Sequence, residues 1–399
     1  MSGATLREPP LFPEPAGEFF RSRWVEAPPG TEQHDAAGLA PGFRAGATAC
    51  GLKGAGKTDV GVLVCDEESI ASALLLTKNA SAAAPVRVCR EGCERASVRA
   101  AVVNSGNANA ATGSKGMDDA LAMQARAAGE LGLERRRVAV AETGTIGVPL
   151  PISEVLDGIP RACATLSADG GERFARSIMT TDRGPKQCTV SCEGVTVSAQ
   201  AKGAGMIEPG FATMLCFVQT DALIERPEDG LRAAVATSFE RITVDGQMST
   251  NDTVLLQASG SAGRPPPEGL LEAVLLQLAL EIVADGEGAT RVCRIEVREA
   301  ADPDEAERVA RAIGNSPLVK TSLYGRDPNW GRISQAAGQA LAGEDLPELG
   351  PDRIDAGDLG GDGAEAEIAV DLGRGTARAH LYFSDLNHEY VRINAEYTT

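Results

Sequence analysis

Apolar positions along this chain fall into short runs separated by glycine, proline and charge. The runs Val60–Cys65, Val98–Asn104, Val138–Ala141, Val195–Ala199, Met214–Gln219, Val254–Ala258, Val292–Val297 and Glu367–Asp371 are rich in β-branched side chains, and their length and spacing predict strands. Helical spacing follows Met117, Ser153, Pro227, Glu268 and Pro303, with Asp118 and Asp304 placed as helix-starting carboxylates. Residues 1–38 are rich in Pro, Glu and Gly and read as an extended arm or a disordered extension. Leu341–Gly363, rich in Gly, Asp and Pro, reads as a surface loop region. Neither a repeat nor a heptad run is present, and the mixture of elements predicts an α/β or α+β fold with a substantial sheet.

Composition narrows the chemistry. Aromatics make up 4% of the 399 residues while glycine reaches 45, so the core is expected to be built from Ala, Val, Leu and Ile. A formal net charge of -18 argues against nucleic acid and anionic membrane surfaces as partners. Cys89 and Cys93, like Cys188 and Cys192, are separated by three residues rather than the two usual in zinc and redox motifs, and His34, His380 and His388 lie far from both pairs. The nine cysteines therefore read as small core residues in a reducing cytoplasm, with no metal expected. The N-terminus lacks the apolar core of a signal peptide, and no apolar run is long enough to span a bilayer.

Gly51–Thr58 reads GLKGAGKT and satisfies the phosphate-binding pattern G-x-x-x-x-G-K-T. That mechanism requires a helix after the loop, whose N-terminal amides cradle the phosphates. The residues that follow, Asp59 to Cys65, read as a strand, so the expected structure is a glycine-rich turn, Gly54 to Lys57, between two strands.

The most informative segment is Ala201-Lys-Gly-Ala-Gly-Met-Ile-Glu-Pro-Gly-Phe-Ala-Thr213-Met-Leu, where a glycine and proline stretch feeds into an apolar strand opened by threonine. The hydroxyl of such a threonine can attack the preceding carbonyl, here that of Ala212, in an N-to-O acyl shift, and water then cleaves the ester. The product carries a free α-amine beside its own hydroxyl. With a pKa of about 7.7–8.0, that amine is partly neutral at pH 7 and serves as general base. No catalytic histidine is then needed.

This segment, continued by Thr220-Asp-Ala222, closely resembles the signature of the ornithine acetyltransferase family, also called glutamate N-acetyltransferase. Other blocks fit in family order: Asn104–Gly113, Thr143–Gly147 with Pro149–Pro151, Met179–Asp182, Ile242–Gly246, Ser249–Thr253, Asp285–Thr290, Val319–Thr321, Asp327–Arg332 and Ile393–Thr399. The likeness runs from about Pro41 to the last residue. It implies layered helices around β-sheets, in a chain that cuts itself between Ala212 and Thr213. The segments 39–212 and 213–399 would then be interwoven subunits, commonly paired into a heterotetramer.

The resemblance also implies roles. Thr213 would carry the acetyl group from N-acetylornithine to glutamate as an ester, with no cofactor. Thr143 and Gly144 would hold the oxyanion. Lys202 would meet a substrate carboxylate and Glu287 an ammonium. Thr180 and Thr181, with Asn394 and Thr399, would supply hydrogen bonds. Two departures stand out. Glu142 occupies a place where a small polar residue is usual and is expected to point away from the oxyanion site; Gln247 replaces an acid after Gly246. Three alternatives stay open: a version that also takes acetyl groups from acetyl-CoA, a related self-cleaving amidase or aminopeptidase, and a nucleotide-binding protein built on Gly51–Thr58.

Overall fold

The computed structural model describes residues 18–54, 56–208 and 214–396. Three sheets organise them. A six-stranded sheet runs in the order Glu32–Gln33, Lys186–Cys192, Val195–Lys202, Leu215–Thr220, Thr253–Ala258 and Ala71–Leu76. A four-stranded sheet follows Phe43–Thr48, Val60–Cys65, Ala100–Asn107 and Val138–Thr145. In the five-stranded sheet, the order is Ile242–Thr243, Ala377–Ser384, Val292–Ala300, Glu365–Asp371 and Ile354–Asp355.

Strand periodicity explains how these sheets layer, because alternate side chains leave opposite faces. In the six-stranded sheet, Cys216, Val218, Val254 and Leu256 join a core with the helices Leu270–Ala284 and Pro227–Thr237. Their neighbours Leu215, Phe217 and Leu255 face the other way, into a core shared with the four-stranded sheet and the helices Ala84–Gly92, Gly113–Leu131 and Ile152–Cys163. The helix Gly171–Ile178 lies in that second core, with Phe174 edge-on to Phe217, ring centroids 5.1 Å apart. A third core joins the five-stranded sheet to the helices Pro303–Gly314, Pro317–Gly325 and Trp330–Ala340.

The eight expected strands are present, Val60–Cys65 with the expected ends and the other seven with shifted ones. Phe43–Thr48, Ala71–Leu76, Lys186–Cys192 and Ala377–Ser384 escaped notice because alanine, serine and charge dilute their β-branched content. Two helix starts need correction. The helix expected from Met117 begins at Gly113, which places Asp118 in its second turn. The helix Pro303–Gly314 is capped by Asp302, whose carboxylate accepts the Glu305 N–H at 2.8 Å, rather than by Asp304. The stretch 341–363 is also more than surface loop: Leu341, Leu349, Ile354, Ala356 and Leu359 are buried in the third core. Of the arm expected over 1–38, residues 1–17 lie outside the described residues, and 18–38 pack on the body of the protein. Phe19 is buried, and the Arg21 and Ser22 N–H groups both donate to Gln277 on the helix Leu270–Ala284.

Candidate active site

Strand ends from two sheets converge on one cavity of about 100 Å³. Lys202 ends one strand of the six-stranded sheet and pairs with Leu215, which begins the next; Leu215 in turn pairs with Thr253. From the four-stranded sheet comes the end of Val138–Thr145, carrying Thr143 and Gly144. The cavity is lined by Thr143, Gly144, Thr180, Thr181, Lys202, Glu287 and Asn394, together with Met214, Asn251 and Asp252. Seven residues singled out in the sequence, spread from 143 to 394, thus meet at one place. Ala212, Thr213 and Thr399 lie outside the described residues.

Each wall has a physical cause. Gly144 has φ +134, and a Cβ there would sit 2.4 Å from the Gly106 carbonyl carbon on the paired strand. Only glycine allows that approach and that backbone conformation. Thr143 Oγ1 accepts from Lys202 Nζ at 3.1 Å, which leaves the threonine hydroxyl's own proton to donate elsewhere. Burial lowers the Lys202 ammonium, opposed by the nearby carboxyl of Asp182.

Asp182 is the organising carboxylate, and sequence reasoning assigned it no role. Its Oδ2 accepts the Thr180 N–H at 2.9 Å; its Oδ1 accepts the Gly203 N–H at 2.8 Å and Lys186 Nζ at 2.7 Å. Burial opposes its charge, yet Lys186 and Lys202 hold it well below the usual carboxylate range. Lys186 also reaches Asp285, which pairs with Arg183 at 2.7 Å. The loop 179–182, the end of the strand Val195–Lys202 and the loop that carries Glu287 are thereby tied together.

Glu287 sits against Gly205, where a Cβ would lie 2.6 Å from its carboxylate. Asn394, on the C-terminal helix His388–Glu396, donates to Glu287 Oε2 at 2.7 Å. That helix docks on the same loop: a Cβ on Gly288 would approach the Tyr390 backbone nitrogen to 2.6 Å, and Asn387 Nδ2 donates to the Gly288 carbonyl at 2.7 Å.

Asp252 is the second acid that sequence reasoning missed. It is buried, its Oδ2 lacks a hydrogen-bond partner among the described residues, and burial pushes its carboxyl well up. Ser249–Thr253 was recognisable as a block, but a polar run before a strand reads as loop. Glu142 behaves as expected. Strand alternation turns it from the cavity into the core, where Oε1 accepts Asn109 Nδ2 at 2.9 Å and burial pushes the acid up to about 8. Near neutral pH it therefore sets little negative charge beside Thr143.

The chain is gripped on both sides of the segment 209–213. Upstream, Met206 holds φ +57, and its N–H and that of Ile207 donate to Asp245 at 2.6 and 2.9 Å. Downstream, the Met214 carbonyl accepts the Thr253 N–H at 3.0 Å. The phosphate-pattern segment closes a loop between antiparallel strands Phe43–Thr48 and Val60–Cys65, wider than a tight turn. Its hub is the buried Asp59 carboxylate, which accepts the N–H groups of Cys50, Gly51 and Lys53. A strand follows it, as expected. Among the described residues, no group of three or more His, Cys, Asp or Glu is arranged to hold a metal ion, and no helix is long and apolar enough to cross a membrane.

The cavity offers a cation, an anion and hydroxyl groups within one small space. That set suits an amino acid bearing carboxylate and ammonium groups. The profile of the ArgJ family matches residues 44–399. An arginine biosynthesis bifunctional protein ArgJ from Geobacter sulfurreducens is 42% identical, over 90% of this chain and 99% of its own. The protein of that name from Thermus thermophilus is 43% identical over the same shares. A solved ornithine acetyltransferase from Mycobacterium tuberculosis, complexed with ornithine, is 34% identical over 46% of this chain and 99% of its own, with a TM-score of 0.43. On the extent of the family match and the relatives' full-length identity, this chain belongs to the ArgJ family.

Proposed function

We propose that this chain is the acetyltransferase of arginine biosynthesis that moves an acetyl group from N-acetylornithine to glutamate through an ester on Thr213. The observation that carries the reading is the convergence of Thr143, Gly144, Thr180, Lys202, Glu287 and Asn394 on one cavity that also takes in Met214, the neighbour of Thr213. In the first step Thr213 Oγ attacks the acetyl carbonyl of N-acetylornithine. Thr143 and Gly144 supply donors to the oxyanion, an arrangement in which one lost donor typically costs about 2.7–4 kcal/mol. Ornithine leaves, and the amine of glutamate attacks the ester. Lys202 takes the substrate carboxylate and Glu287, oriented by Asn394, takes the ornithine ammonium. Thr180 and Thr181 add hydrogen bonds, and Thr399 adds another from the C-terminus.

Maturation belongs to the same proposal. Cleavage between Ala212 and Thr213 frees the α-amine that serves as general base. What supports it is the grip on the chain on either side of 209–213, with the left-handed Met206 just upstream. A heterotetramer of the two pieces rests on the family resemblance, and a cytoplasmic setting on cysteines used as small core residues. The test is the intact mass of denatured wild type beside Thr213→Ala, followed by an acetyl-exchange assay. Two pieces for wild type, the second starting at Thr213, one uncut and inactive chain for the variant, and acetyl transfer to glutamate by wild type are expected. A wild type that cleaves but gives its acetyl group only to water would overturn the transfer reading.

A further inference from the structure

Asp252 lines the cavity together with Thr143, Gly144 and Lys202. Strand register sets its place. Leu215 pairs on one side with Lys202 and on the other with Thr253, the residue after Asp252. The start of the strand that follows Thr213 is thus flanked by a cation on one side and a carboxyl on the other. The Asp252 backbone is pinned as well, its carbonyl accepting the Thr77 N–H at 3.0 Å. Only 1% of the residue is exposed, and Oδ2 lacks a hydrogen-bond partner among the described residues. Burial pushes the carboxyl up, against the Thr77 and Ser249 side chains, the Met214 backbone and the charge of Lys202. The other acid among the described residues of that lining, Glu287, is engaged by Asn394. Asp182, outside the lining, is held as a carboxylate by Lys186. Asp252 is therefore the acid that brings both an unclaimed oxygen and a proton to the cavity.

The acetyl transfer calls for such a group. An amide nitrogen does not leave as an anion, so it must gain a proton as its bond to the acetyl carbon breaks. The α-amine of Thr213 has by then taken the proton of its own hydroxyl. We infer that Asp252 donates the proton to the amine that leaves N-acetylornithine and takes one from the glutamate amine that replaces it. The inference rests on the acetyl-threonine reading above. In the first half, Thr213 Oγ bonds to the acetyl carbon and its proton goes to the α-amine. The C–N bond then breaks, and the Asp252 proton goes to the departing nitrogen. What remains is an ester, an α-ammonium and an Asp252 carboxylate, with Lys202 near enough to favour the carboxylate. In the second half, the neutral amine of glutamate bonds to the same carbon and gives a proton to Asp252. The C–O bond breaks, and the α-ammonium returns its proton to Thr213 Oγ.

The experiment compares wild type with Asp252→Asn, which keeps the size of the side chain and removes the acid. Two acetyl donors are used: N-acetylornithine, whose nitrogen needs a proton to leave, and p-nitrophenyl acetate, whose phenolate does not. With N-acetylornithine and glutamate, kcat of the variant should fall about a hundredfold or more, with KM kept within about threefold. The nitrophenolate burst, and the acetyl mass it leaves on the piece that starts at Thr213, should stay within about threefold of wild type. Exchange that keeps its kcat overturns the proposal. So does a burst that falls in step with exchange, which marks Asp252 as a positioning residue. If the variant stays uncut, wild type alone decides. Single-turnover release of ornithine should fall as rising pH strips the proton from Asp252, while the burst does not; ornithine release without that fall, or a burst that shares it, overturns the proposal. A wild type that releases nitrophenolate without acetylating Thr213 sinks the acetyl-threonine reading, and the proposal with it.

Discussion

Glu142 and Gly144 flank Thr143 on one strand and contribute in opposite ways. Gly144 lets the strand end close on Gly106; Gly144→Ala would push a methyl into that backbone. We expect exchange to fall on the order of a hundredfold, the scale of a displaced oxyanion donor, and steady-state kinetics on the purified variant would check it. Glu142 keeps its proton in the folded protein up to about pH 8, while the unfolded chain releases it near 4.5. Between those values the folded state binds the extra proton, so stability falls as pH rises, by roughly 1.4 kcal/mol per unit from this group. Urea unfolding at pH 5, 6.5 and 8 should show that slope in the uncut Thr213→Ala chain and lose it when Glu142→Gln is added. Lys202 and Glu287 were legible in the sequence because an amino-acid substrate calls for a cation and an anion, and the resemblance gives both residues that role. Asp182 and Asp252 were not, because a carboxylate in a turn looks the same whether it faces water or a buried lysine.

At the scale of elements, the turn after the helix Gly171–Ile178 works as a clasp. Asp182 joins that turn to the end of the strand Val195–Lys202 and, through Lys186, to the loop that starts at Asp285. Asp182→Asn leaves Lys186 and Lys202 short of a buried counter-charge, and breaking such a pair typically costs about 3–5 kcal/mol. Thermal unfolding of the variant should show a clear loss of stability, together with a raised KM for both substrates. The elements themselves were only partly legible. Strands dense in valine and isoleucine announced themselves, whereas Ala71–Leu76 and Lys186–Cys192 are strands by tertiary pairing more than by local preference. The helix Trp330–Ala340 hid in a block read for its likeness; Asn329 caps it by accepting the Arg332 N–H.

At the scale of the whole molecule, the C-terminal helix His388–Glu396 has no buried residue, yet it supplies Asn394 to the cavity. Removing residues 394–399 should leave the melting temperature within about 2 °C while exchange drops at least tenfold, since Glu287 loses its partner. Equal activity in the trimmed protein would remove the C-terminus from the site. The six-stranded sheet has a consequence of another kind. Strands from beyond position 213, Leu215–Thr220 and Thr253–Ala258, are inserted between Val195–Lys202 and Ala71–Leu76, which precede it. Under the proposed cleavage before Thr213, the middle of the sheet would belong to one piece and its flanks to the other. Such a sheet would form while the two still shared a tether and hence a high effective concentration. Denatured and diluted, cut pieces would have no such tether, so a cleaved protein would hold an architecture inherited from its precursor and be poorly placed to rebuild it.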